Sequence, residues 1–255
     1  MTLQILTIPC LSDNYAYLAH DPATGQTAAV DVPEAAPILK ALAGKGWVLS
    51  HVLITHHHYD HVDGLADLLA AAPAQVVGAT ADAHRLPPLD IAVTEGDTVK
   101  IGEQTGHVLD VSGHTVGHIA FHFPDSAAIF TADSLMALGC GRVFEGTMPQ
   151  MWHSLQKLAV LSPETTVYSG HEYTQSNAKF ALSVDPSNSA LISRATAVDA
   201  ARAKGQPTVP STLAEELATN PFLRATDLDI QAHLGMVGAD PADVFAEIRT
   251  RKDCF

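Results

Sequence analysis

Residues 55–61 read Thr-His-His-His-Tyr-Asp-His, four histidines and an aspartate in seven positions. Isolated histidines are mostly surface or packing residues, but this spacing supports another reading. At the end of an extended strand, residues two apart point the same way. His56 and His58 can therefore reach one cation together, while His57 between them points away and is structural. Asp60 and His61 follow on the turn, where the chain can aim them at a second ion. Imidazole and carboxylate donors suit zinc, iron or manganese. Three later segments offer further donors: His114 in SGHTVGH (112–118), Asp133 in FTADSL (130–135) and His171 in YSGHEY (168–173). Each is weak alone; their joint occurrence, in this order, is not.

Such donors need strands to carry them. Apolar runs bounded by turn residues predict strands at 3–8, 15–19, 28–32, 48–55, 75–79, 107–111, 119–123, 128–131 and 166–169. The 48–55 run leads straight into the histidines, and each later donor lies near the end of a predicted strand. Helices are expected at 33–44, stopping at a glycine, at 64–72, ended by Pro73, and at 148–161. Beyond His171 the texture turns helical, with predicted helices at 177–184, 190–204, 212–218 and 242–252, broken by PSNS, GQPTVPS and GADP. The reading is α/β: a mixed catalytic domain over 1–172 and a small all-helical domain over 173–255.

The bulk properties narrow the function. The 255 residues are 47% hydrophobic and 16% charged, enough apolar content for a sizeable core and too little charge for wholesale disorder. A net charge of −14 repels nucleic acid, so no nucleic-acid partner is expected. No stretch approaches the roughly 18 apolar residues of a membrane span, and the first residues do not resemble a signal peptide. Three cysteines without a Cys-x-x-Cys argue against a disulfide framework or a thiolate metal site. The expected place is the reducing cytoplasm and the expected state a monomer.

The histidine-rich stretch matches the T-H-x-H-x-D-H signature of the metallo-β-lactamase superfamily, and the later donors complete the resemblance. It implies a four-layer αββα sandwich. The chain further resembles the glyoxalase II family, the hydroxyacylglutathione hydrolases, through SDNYAYL (12–18), GHTVGH (113–118), GCGRVFEGT (139–147), SGHEYT (169–174), PTVPSTLAEELATNPFLR (207–224) and RTRKDCF (249–255). This likeness runs almost end to end and covers the helical tail. It implies that His56, His58 and His114 hold one divalent ion, that Asp60, His61 and His171 hold another, and that Asp133 bridges them. Zinc is the first expectation, with iron or manganese as alternatives. It implies a metal-bound hydroxide as nucleophile, with Asp60 and Asp133 as catalytic ligands, attacking the thioester of S-D-lactoylglutathione. The products would be glutathione and D-lactate, in the second step of methylglyoxal detoxification.

Glutathione is an anion and the chain is acidic, so local cations must override the global field. By the resemblance, Arg142 stands where the family usually has Lys, and Arg249 and Lys252 match a C-terminal R-x-x-K that clamps the glycine carboxylate. Tyr173 can donate its hydroxyl. Phe144 departs from the family, which often has tyrosine there; if that hydroxyl normally bonds the substrate, its loss weakens binding by about 0.5–1.5 kcal/mol. The competing reading makes Arg249, Arg251 and Lys252 a solvated last helical turn. His118 is expected to buttress the site, and Cys140 to be a buried thiol. The rival functions are a glutathione persulfide dioxygenase, a lactonase, a secreted β-lactamase and a non-catalytic binding module. The absent signal peptide disfavours the β-lactamase, and the complete ligand set disfavours the binding module.

Overall fold

The computed structural model describes residues 1–255, grouped into two compact units: Met1–Asp110 with Val116–Thr131, and Val111–Thr115 with Ala132–Phe255. This grouping by packing differs in kind from the division by texture at 172/173.

The first unit begins with β1 (Gln4–Cys10), β2 (Asn14–His20) and β3 (Gln26–Val30), followed by α1 (Ala35–Lys45) and β4 (Val48–Leu53). The single turn α2 (Tyr59–Val62), α3 (Leu65–Ala71), β5 (Gln75–Ala79) and β6 (Ile91–Val93) come next. The six strands form one sheet in sequence order, antiparallel from β1 to β3 and parallel from β3 to β6. Parallel strands are covered on both faces and so read as continuous apolar runs, which is why 48–55 and 75–79 were legible. Helix α1 stops where Gly46 turns into the left-handed region at φ 67°, two residues beyond the expected glycine. Ile38 and Leu42 of α1 and Leu65 and Leu68 of α3 pack on Leu18, Ala29, Val52 and Val76 of the sheet. Each of those large side chains contributes about 1.5–3 kcal/mol by leaving water.

The unit continues with β7 (Thr98–Ile101), β8 (Gln104–Asp110), β9 (Ile119–Phe123) and β10 (Ala128–Ala132), neighbouring antiparallel strands in the order β10-β9-β8-β7. Tyr17 of β2 meets Phe130 of β10 with ring centroids 5.6 Å apart, so two layers of strands face each other across an aromatic core.

The second unit holds the β11 (Leu135–Met136) and β12 (Gly139–Cys140) hairpin, α4 (Met148–Ala159) and β13 (Thr166–Ser169). Helices α5 (Thr174–Val184) and α6 (Ser189–Arg202) precede β14 (Ser211–Thr212), which pairs with β13; α7 (Leu213–Thr219), α8 (Leu228–Leu234) and α9 (Pro241–Asp253) follow. Helix α7 begins at a reciprocal capping box between Thr212 and Glu215. Phe222 stacks on Phe180 of α5 and meets Phe245 of α9 edge-on, and Trp152 of α4 adds to them at 5.8 Å from Phe245. The sequence did not disclose α2, α8, β6, β7, β11, β12 and β14; all but α8 have only two to four residues, too few to show a period. No helix is long and apolar enough to cross a membrane.

Candidate metal centre and its flanking cations

The ligand loop of the first unit springs from the C-terminal end of β4, and Asp31 lies at the same end of the adjacent parallel strand β3. Loops at the carboxyl ends of parallel strands are where open α/β sheets place ligands. Asp31 is buried at φ 55° and organises the loop. Its carboxylate accepts from the Thr55 amide and the Thr55 hydroxyl, both at 2.8 Å, and from His61 Nδ1 at 2.8 Å. Thr55 Oγ1 is therefore left to accept from His56 Nδ1 at 3.0 Å. In that tautomer both imidazoles present the unprotonated Nε2 toward a cation, the arrangement that orients metal-binding histidines.

His56 Nε2 lies 3.2 Å from His58 Nδ1, so the strand-end alternation brings these two donors together. Asn14 of β2 donates to both Asp60 Oδ2 and the Asp60 carbonyl at 3.0 Å, holding that carboxylate in place. His57 turns aside to the buried Asp82 at 3.2 Å, which Arg85 also pairs. His118 is fully buried and stacks on His56 at 4.5 Å, with the ring planes 11° apart. Gly64 has to be glycine: a Cβ there would lie 2.8 Å from the backbone of Glu34 and Ala35, prising the loop from the start of α1. Asp31, His56 and His61 offer donor atoms within 4.8 Å of one another, yet the hydrogen bonds of Asp31 mark it as the residue that aims the histidines. Sequence reasoning missed Asp31; the available signal was a lone carboxylate at the end of the apolar run Ala28–Val30.

In the second unit Asp133, just past β10, places Oδ2 3.5 Å from His114 Nε2 and 3.3 Å from His171 Nε2. One carboxylate between two imidazole Nε2 atoms is a set of donors ready to share cations. His114 Nδ1 donates to the Arg142 carbonyl at 2.8 Å, which again leaves Nε2 as the donor. Gly141 permits that approach, since a Cβ would fall 2.0 Å from the Asp133 carbonyl and 2.8 Å from the His114 ring. The exposed Phe144 lies 5.3 Å from the His114 ring, and Tyr173 stacks on His171 at 4.6 Å.

The three expected substrate cations also lie in this unit, and they differ sharply. Arg142 is 58% exposed, with Nε 3.5 Å from Asp253 Oδ1. Lys252 is half-buried, its amine 3.4 Å from the Ser176 carbonyl and hydroxyl and over the rings of Phe180 and Phe255. Burial, reinforced by Arg249 and Arg142, pulls its pKa below the usual lysine value. Arg249 is 4% exposed; Nη1 donates to the Cys140 carbonyl at 2.8 Å and Nη2 to Asp253 at 2.9 Å. Arg249 is thus buried as it stands and tied to Cys140 and Asp253. Cys140 is a buried free thiol whose pKa burial pushes up to about 11.

Comparison with known proteins agrees with this geometry. The metallo-beta-lactamase superfamily model matches residues 21–171, and the model for the hydroxyacylglutathione hydrolase C-terminus matches 172–255. The hydroxyacylglutathione hydrolase of Ruegeria pomeroyi is 67% identical over 255 residues, 100% of both chains. The crystal structure of BLEG-1 B3 metallo-beta-lactamase aligns with TM-score 0.68 at 19% identity, over 86% of this chain and 99% of that one. The crystal structure of TTHA1623 in a di-iron-bound form aligns with TM-score 0.61 at 26% identity, over 86% and 100%. The chain has the metallo-β-lactamase fold with a helical C-terminal region, and its His and Asp groups are consistent with a dinuclear metal site.

Proposed function

Because this chain belongs to the hydroxyacylglutathione hydrolases of the metallo-β-lactamase superfamily, we propose that it hydrolyses S-D-lactoylglutathione to glutathione and D-lactate. The observation that carries this reading is full-length identity of 67% to a relative of that name, together with a complete set of seven imidazole and carboxylate donors. His56, His58 and His114 would hold one ion, Asp60, His61 and His171 the other, and Asp133 would bridge. The imidazole and carboxylate donors, with Nδ1 of His56, His61 and His114 engaged so that Nε2 can face an ion, fit divalent cations of the zinc, iron or manganese type. Zinc is our first choice. When bound, such ions supply Lewis acidity toward a thioester carbonyl and lower the pKa of water.

The rest of the work falls to the protein. Asp31 and the Arg142 carbonyl fix which imidazole nitrogen carries the proton, so the donors need no reorganisation during turnover. Asn14 keeps the Asp60 carboxylate aimed. Arg142 and Lys252 attract the glutathione carboxylates that the chain's net charge of −14 would otherwise repel. Tyr173 stiffens His171 by stacking and offers its hydroxyl to the substrate. The leaving thiolate is already a tolerable anion, so no dedicated general acid is required. We assign 1–172 to catalysis and 173–255 to substrate binding, a division supported by the two family models meeting between 171 and 172. The free cysteines Cys10, Cys140 and Cys254 support a reducing, cytoplasmic setting, and we take the enzyme as a monomer.

The deciding experiment compares steady-state hydrolysis of S-D-lactoylglutathione with that of a thioester lacking glutathione, with metal analysis of the same sample. Strong preference for the glutathione thioester, lost on chelation and restored by zinc, iron or manganese, is the expected result. Equal rates on both substrates, or full activity in metal-free protein, would refute the proposal.

A further inference from the structure

We propose that Asp253 is a positioning residue for substrate binding: anchored by the buried Arg249, it fixes the exposed guanidinium of Arg142 beside Lys252 to receive an anionic end of the substrate. This rests on the glutathione-thioester reading above.

The placement of Asp253 needs a reason. It is the last residue of α9, where the helix end carries partial negative charge and a carboxylate is disfavoured. It lies there between two guanidinium groups. Arg249 Nη2 donates to its Oδ1 at 2.9 Å, and Arg142 Nε lies 3.5 Å from the same oxygen. Arg249 is the inner anchor as it stands: it is 4% exposed and its other terminal nitrogen is bonded to the Cys140 carbonyl. Arg142, 58% exposed and held only through Nε, keeps both terminal nitrogens open. A guanidinium drawn to the carboxylate through Nε turns its outer edge outward as a fork, the geometry that receives a carboxylate. Two guanidinium groups share one internal carboxylate and Lys252 adds a third cation nearby, so the cluster keeps an excess of positive charge. Burial lowers the pKa of Lys252 most, and the neighbouring charges of Arg249 and Arg142 lower it further.

The two ends of Arg142 do separate work. Its carbonyl accepts from His114 Nδ1 at 2.8 Å, whereas only its side chain meets Asp253. Loss of the Asp253 charge therefore releases the guanidinium without moving the carbonyl that orients a metal ligand. The consequence is an effect on KM and not on kcat.

The test is Asp253→Asn, with Asp253→Glu as the conservative control, in the metal-loaded enzyme. For S-D-lactoylglutathione, Asp253→Asn is expected to raise KM by about tenfold, the worth of roughly one charge-assisted hydrogen bond, while kcat stays within about twofold. Asp253→Glu should recover most of the loss. The same order should appear in calorimetric binding of S-methylglutathione to metal-free protein, which needs no turnover. An unchanged KM and affinity overturns the inference. So does tighter binding in Asp253→Asn, which would make the carboxylate a competitor of the substrate. Wild-type protein that binds S-methylglutathione but cleaves no thioester sinks the proposed reaction alone, and the calorimetric comparison still decides the role of Asp253. Wild-type protein that fails to bind it overturns both.

Discussion

The ligand loop after β4 and the cation cluster at the end of α9 are both polar sites, and they are built on opposite principles. In the loop the donors are neighbours in sequence, buried or half-buried, and clamped by Asp31, Thr55 and Asn14. In the cluster the groups come from a hairpin end and a helix end, share the single carboxylate of Asp253, and range from buried Arg249 to open Arg142. A cation demands several donors aimed within tenths of an ångström, so rigidity is selected there. A flexible peptide such as glutathione is met well enough by long side chains carrying charge. Local spacing therefore builds the first site and long-range packing the second.

That contrast can be broken by mutation. The largest effect should come from Asp133→Ala, which removes the carboxylate between His114 and His171: kcat should fall by more than about a hundredfold, with fewer metal ions bound per chain. Unaltered metal content and turnover would show that the rigid site is not the seat of catalysis. Asp31→Asn should be next, because an amide cannot accept from the Thr55 amide, the Thr55 hydroxyl and His61 together. Metal affinity should weaken by about 10–100-fold, read by competition with a chromophoric chelator.

Within the cation cluster, Arg249→Ala and Arg142→Ala should part company. The first strips buried bonds from Cys140 and Asp253 and should cost about 2–3 kcal/mol in urea unfolding. The second should leave the unfolding midpoint in place and raise KM by about tenfold, as loss of an exposed charge-assisted contact does. Equal stability losses in both would erase the distinction between tie and clamp. The smallest effect is expected from Phe144→Tyr, 63% exposed in the native chain: a restored hydroxyl should lower KM by about threefold. A KM that does not fall would mean that no substrate group lies within its reach.

The sequence was legible where a residue's role depends on its neighbours. Strand alternation set His56 and His58 on one side and His57 on the other, and the apolar runs located every longer strand. Elements of two or three residues, such as β11, β12 and β14, left no periodic trace. Nor could the pattern R-x-x-K separate Arg249 from Lys252, since one turn of helix can bury the first and expose the second.

The amino-acid order by itself determined the donor types, their order along the chain and the family, because ligand spacing and strand period are short-range properties. Only the tertiary structure decided which groups aim those donors. Asp31 reaches His61 across 30 positions, the Arg142 carbonyl reaches His114 across 28, and Arg249 reaches Cys140 across 109. Hydrogen bonds over such separations arise when sheets and helices pack, and no local pattern announces them.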